Sequence, residues 1–153
     1  MTEEAKLTLD QFHKSQAVDL FNEVWSLMEK PARSEAETLR MIHAAHASRL
    51  HWEVVGRPVN LVIGEWQVSR VYAVLGRAEP ALFHARQCHA LCCSNGIGGF
   101  HLAEAHEAMA RAFRVAHDPS ADEHLHNARE IARTLTDAEE IGCLERDLGS
   151  LPK

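Results

Sequence analysis

Eleven of the 153 residues are histidine, and three of them fall in one run, HAAHASRLHW, as His43, His46 and His51. Imidazoles bind transition metals and move protons near neutral pH, so the run raises metal-assisted or acid–base chemistry. Helical geometry limits the idea. On an ideal helix His46 lies about 60° from His43 on one side and His51 about 80° on the other, so at most two of them share an ion. A third ligand would have to come from His84, His101 or His106 by packing, and no HExxH occurs. His43 and His46, in an apolar stripe, fit better as groove imidazoles bonded to neighbours. His84, Cys88 and Cys92 form a second line at i, i+4 and i+8. Thiolate zinc sites favour CxxC pairs, which are absent, so these cysteines read as small packing residues. No catalytic residue, metal or cofactor is assigned.

A different chemistry gathers further along. Trp66 and Arg70 are i, i+4 neighbours that would stack as a cation–π pair, and Asn60 and Gln67 lie on the same side within about 20° of each other. A tryptophan beside amide and guanidinium groups is the chemistry of peptide or small polar ligand recognition. Glu65 interrupts the stripe Leu61, Val68, Tyr72 and Leu75. A carboxylate buried there demands a partner, with Arg70, Arg49 and the histidines of the second helix as candidates.

The elements that must hold these groups are helices. The composition is 46% hydrophobic and 25% charged with 6% aromatic, and its Ala, Leu, Glu and Arg content leans to helix, so an all-α single domain over 1–153 is expected. Capping boxes at Thr8/Gln11, Ser34/Glu37, Ser120/Glu123 and Thr136/Glu139 mark helix starts. Pro31, Gly56-Arg-Pro58, Gly76, Asn95-Gly96 and Pro119 mark the breaks. The reading is seven helices: Leu9 to Glu29, Glu35 to Val55, Pro58 to Leu75, Pro80 to Cys93, Phe100 to Ala116, Ser120 to Leu135, and a last one ending near Leu148. The second carries apolar stripes on two sides and is expected to be central. A net charge of −6 with scattered basic residues gives no footprint for nucleic acid. The acidic start has no leader-like apolar core, no apolar run suits a membrane span, and the thiols suit a reducing compartment, so a cytoplasmic protein is expected.

Residues 60–118 contain an internal near-repeat. Tyr72, Leu75 and Gly76 are echoed by Phe113, Ala116 and His117 at an offset of 41, and Ala81, Ala85 and Cys88 by Ala121, Leu125 and Ala128 at an offset of 40. In this pattern Val68 and Ser69 act as a large–small pair, Tyr72 as the aromatic, Gly76 as the turn glycine, and Ala81 and Ala85 as small packing positions. The chain thereby resembles tetratricopeptide-like repeats over about residues 58–135, with a longer period and with His117 where glycine is usual. The resemblance implies a right-handed stack of antiparallel hairpins: 8–55, 58–95 and 99–135, closed by a capping helix over 136–149. It also implies that the first helix of each hairpin lines a concave face, so Trp66 and Arg70, then Glu104, Glu107 and Arg111, would face a ligand.

The expected role is a non-enzymatic module that binds a peptide, a protein or a second copy of itself, using His43, His46, Asn60, Trp66, Gln67, Arg70, Glu104, Glu107 and Arg111. Stacked short hairpins would leave an extended surface rather than a deep cavity. The alternative is a small metal- or ligand-binding bundle built on the histidines of the second helix, with hydrolysis as its reaction.

Overall fold

The first two capping boxes close as their spacing requires. Thr8 Oγ1 accepts the Gln11 N–H at 3.1 Å while the Thr8 N–H donates to Gln11 Oε1 at 2.9 Å. Ser34 and Glu37 exchange the same two bonds. The helices they start are the first two of seven in a computed structural model that describes residues 6–153: α1 (Leu9–Met28), α2 (Glu35–Val55), α3 (Pro58–Val74), α4 (Ala78–Ser94), α5 (Gly99–Val115), α6 (Ala121–Ala132) and α7 (Ala138–Gly149). No strand occurs among the described residues, so the fold is all-α. No helix among them is long and apolar enough to cross a membrane. The acidic start, expected to lack a leader, lies partly outside the described residues.

Two caps differ from expectation. Ser120 is already helical at φ −57°, ψ −17° and its side chain caps nothing; a hydroxyl reaches the N2 or N3 amide only from extended backbone. Asp118 Oδ1 accepts the Ser120 N–H at 2.8 Å instead. At α7 the cap is Asp137 rather than Thr136, accepting from the Glu139 and Glu140 N–H groups at 3.0 and 2.9 Å. A carboxylate there also opposes the positive end of the helix dipole. α4 starts two residues before Pro80, because proline in a first turn lacks only an N–H that has no helical acceptor anyway.

The near-repeat becomes a repeated turn. After α3, Gly76 takes φ 71° and the Arg77 N–H bonds back to Tyr72 O at 2.9 Å; after α5, His117 takes φ 55° and the Asp118 N–H bonds back to Phe113 O at 2.9 Å. Both are left-handed closures in which the C″ amide reaches the C3 carbonyl. The equivalence of Tyr72 with Phe113 and of Gly76 with His117 is therefore one of backbone geometry.

Each helix packs on its neighbours in the chain, pairing α1 with α2, α3 with α4 and α5 with α6, and α5 also touches α3 and α7. Val24, Met41, Ala44, Ala45, Val68 and Val71 form the N-terminal core; Ala85, Ala108, Met109, Phe113 and Ala121 form the next. The central helix is α5, not α2. Every residue from Ala103 to Phe113 is buried, whereas Leu39, Leu50 and Val54 on α2 are exposed. Alanines at 103, 105, 108, 110 and 112 give α5 a thin cross-section that admits neighbours on all sides, which a stripe count of leucines does not reveal.

A histidine held at positive φ is strained where glycine is not. His117→Gly is expected to stabilise the fold by about 0.5–1 kcal/mol, read as a raised urea midpoint with unchanged m-value; an unchanged or lowered midpoint would show that His117 is not strained there.

Candidate functional site

Glu107 on α5 has a side chain wholly out of solvent, and a carboxylate so placed needs countercharge. Arg111, one turn on, supplies it with Nε at 2.7 Å from Oε1. Arg70 reaches Glu107 Oε2 from α3 at 3.3 Å and Asp147 of α7 at 3.1 Å. Arg111 then uses its remaining donors on the Asp147 carbonyl at 2.8 Å and on the Ser150 carbonyl and hydroxyl at 3.1 and 2.9 Å. Two guanidiniums and two carboxylates thus bolt α3, α5 and α7 together.

Between these helices, α1 and α4 lies a cavity of about 460 Å³. Its apolar wall comes from Trp25, Val62, Ile63, Trp66 and Phe100; Arg70, Glu104 and Asp147 line the polar end. Trp25 and Trp66 lean together with ring centroids 5.7 Å apart, and the Arg70 guanidinium carbon stands 5.1 Å from the Trp66 centroid. The expected cation–π pair is therefore present. The expected shallow curve is not what encloses it: α7 folds back onto α5 through Arg111 and closes the hollow.

Three residues of this wall carry buried polar atoms with no hydrogen-bond partner: Trp66 Nε1, Arg70 Nε and both carboxyl oxygens of Glu104. Glu104 is only 5% exposed and Arg70 8%. Burial, with Glu107 and Asp147 close by, pushes the Glu104 carboxyl up to about 9, so it holds its proton at neutral pH. Asp147 of α7 lies close beside it.

The other residues singled out by the sequence fall elsewhere. Asn60 accepts the Arg57 N–H at 2.9 Å and caps α3. Gln67 donates to Phe21 O at 3.0 Å and ties α3 to α1. His43 is exposed on α2. His46 bonds Tyr72 Oη at 2.9 Å, and burial together with His84 holds it below the usual imidazole range. Glu65 is buried and takes Arg49 Nε at 3.0 Å and His84 Nδ1 at 2.7 Å. One of its candidate partners is thus confirmed, and the second comes from α4 rather than α2. The His84 ring stacks on Tyr72, so Arg49, Glu65, His84, Tyr72 and His46 join α2, α3 and α4 in one polar chain. A third cluster brings His106 Nδ1 within 3.1 Å of His124 Nδ1, with His89 against the same ring; burial, His89 and His124 push His106 down to about 4. Cys88 and Cys92 are buried in packing, Cys88 on the cavity wall. Among the described residues no three His, Cys, Asp or Glu side chains are placed to hold a metal ion together.

Trp25, Phe100 and Asp147 escaped the sequence reading. Only the Cys143/Asp147 spacing beside buried Leu144 marks an inward face of α7. Comparison of the chain with protein-family models, curated proteins and solved structures finds no match.

Glu104 makes stability depend on pH in a recognisable direction. Its folded value lies above its unfolded one, so folding takes up a proton, and stability falls as pH rises between about 4.5 and about 9. His46, His101, His106 and His124 are held low, so they act in the opposite sense and below about pH 6.5. From pH 6.5 to 8.5 the unfolding free energy should therefore decline, by at most about 1.4 kcal/mol per pH unit. Glu104→Gln should flatten that slope, and Glu104→Met should raise the melting temperature. Denaturant titrations across this window check both, and a slope unaltered in Glu104→Gln would show that Glu104 is ionised in the fold.

Proposed function

We propose that the chain is a non-enzymatic binding module of tetratricopeptide-like build, whose recognition site is the cavity between α1, α3, α4, α5 and α7. The observation that carries this reading is the Glu104 carboxyl, buried on the wall of an aromatic-lined hollow with both oxygens unpartnered. Leaving such a group unpaired costs about 1–3 kcal/mol, and a hollow of this size with an apolar wall and few polar groups is the usual form of a small-ligand site. The repeat resemblance adds support, since it assigns the ligand-facing role to the first helix of each hairpin. Here those helices are α3 and α5, which supply Trp66, Arg70 and Glu104. Enclosure by α7 favours a compact ligand over an extended peptide. Four free cysteines fit a reducing, cytoplasmic setting. The metal or hydrolytic alternative draws less support, because His43 points to solvent and His46 is occupied by Tyr72.

The test is a titration with four one-ring probes of differing head group: benzamide, benzoate, benzylammonium and toluene. At least one should saturate, shift the indole resonances of Trp25 and Trp66, and be lost in Ile63→Trp, which fills the hollow. Saturation by none of the four would end the reading.

A second reading, contact with a protein and in particular with a second copy, rests on a different observation. Leu39, Leu50 and Val54 on α2, with Leu9, Phe12 and Val18 on α1, are exposed apolar groups on the N-terminal hairpin, more than lone surface residues require. Light scattering should give twice the chain mass, reverting to one with Leu50→Lys; a monomer at high concentration would remove this reading.

A further inference from the structure

The polar end of the cavity carries no net charge. Arg70 and Arg111 are matched by Glu107 and Asp147. Glu104 is the group left over: no cation pairs with it and neither oxygen accepts a hydrogen bond. A cationic head group seated there would meet the Arg70 guanidinium, and an anionic one would meet Glu104 and Asp147. Either would lose its hydration without finding an unpaired countercharge.

What the wall leaves free is hydrogen-bonding capacity. Trp66 Nε1 and Arg70 Nε each carry one N–H and can only donate. A neutral Glu104 carboxyl offers one O–H donor and one carbonyl acceptor side by side. The complement is a group with a carbonyl oxygen, whose two lone pairs take two of those donors, beside an N–H that reaches the Glu104 carbonyl. Resting on the reading of this cavity as the binding site, we infer that its ligand is an uncharged carboxamide or lactam borne on a flat apolar body. The head pairs with Glu104 in a two-point ring of hydrogen bonds and takes a further donor from Arg70 or Trp66. The body lies against Trp25, Ile63, Trp66 and Phe100. Seating requires the Glu104 carboxyl to swing into the hollow, a rotamer change in a side chain whose oxygens no donor holds in place. Burial of that carboxyl keeps it protonated at neutral pH, which supports the neutral pairing.

The four probes separate this inference from the reading beneath it. With the full chain at pH 7, benzamide should bind about tenfold or more tighter than benzoate, benzylammonium or toluene, the scale on which an unpaired buried polar group is felt. Glu104→Gln, which also sets one donor beside one acceptor, should hold benzamide within about threefold. Glu104→Met should lose that preference and let toluene equal benzamide. Tightest binding by benzylammonium or benzoate would overturn the carboxamide assignment while leaving the cavity a binding site, as would a Glu104→Gln variant that folds yet behaves like Glu104→Met. Binding by none of the four would remove both. The wild-type ranking decides the matter alone if a variant melts early.

Discussion

Glu107 presents a wholly buried carboxylate in the middle of α5, and the arrangement of α3, α5 and α7 follows from what must be done with it. Desolvating a lone carboxylate is costly by several kcal/mol even after relaxation, so Arg70 and Arg111 close on it from two sides. Each guanidinium then has donors to spare. Arg70 passes one to Asp147, and Arg111 passes two to the backbone around Asp147 and Ser150. A network of this kind adds little net stability over an apolar core, but it tolerates few alternative packings, because any helix that shifts strands a buried charge.

The cavity is a by-product of that constraint. Polar contacts from Arg70 and Arg111 hold α7 against α5, and a hollow lined by Trp66 and Phe100 is left between the helices. Glu104, one turn before Glu107, shares the desolvation without sharing the counterions. Its proton is the way the fold avoids a second buried anion beside Glu107. A locally unfavourable group, kept where an apolar one would fit, is the kind of departure expected at a place that does something.

The turns and helices were largely legible in the sequence. Thr8, Ser34, Gly76 and Pro58 act within a few residues of themselves, so their effect does not wait on distant parts of the chain; Gly56, suited to a left-handed cap, is instead extended at φ −84°. The offset between Gly76 and His117 likewise announced a repeated closure before any backbone angle was known. Ser120 and Thr136 misled because a capping box depends on the backbone of the residue that opens it, and Asp118 and Asp137 compete for the same amides. The large apolar residues on two sides of α2 point to it as the centre. The centre is instead the helix of alanines, and small side chains signal close approach only once the partner helices are in place.

The sequence by itself determined seven helices, their order, the repeated turn and the roster of polar groups from Trp66 to Arg111, since periodicity, caps and breakers are local properties. Only the tertiary structure decided which of those groups share one hollow: Trp66, Arg70 and Glu104 do, while Asn60 and Gln67 became struts and His46 joined a separate chain. Burial and countercharge are set by residues far apart in the chain. Glu104 and Glu107 read alike three positions apart, yet one is ion-paired and the other keeps a proton, because Arg70 of α3 and Arg111 of α5 both close on Glu107, whereas Asp147 of α7 lies beside Glu104.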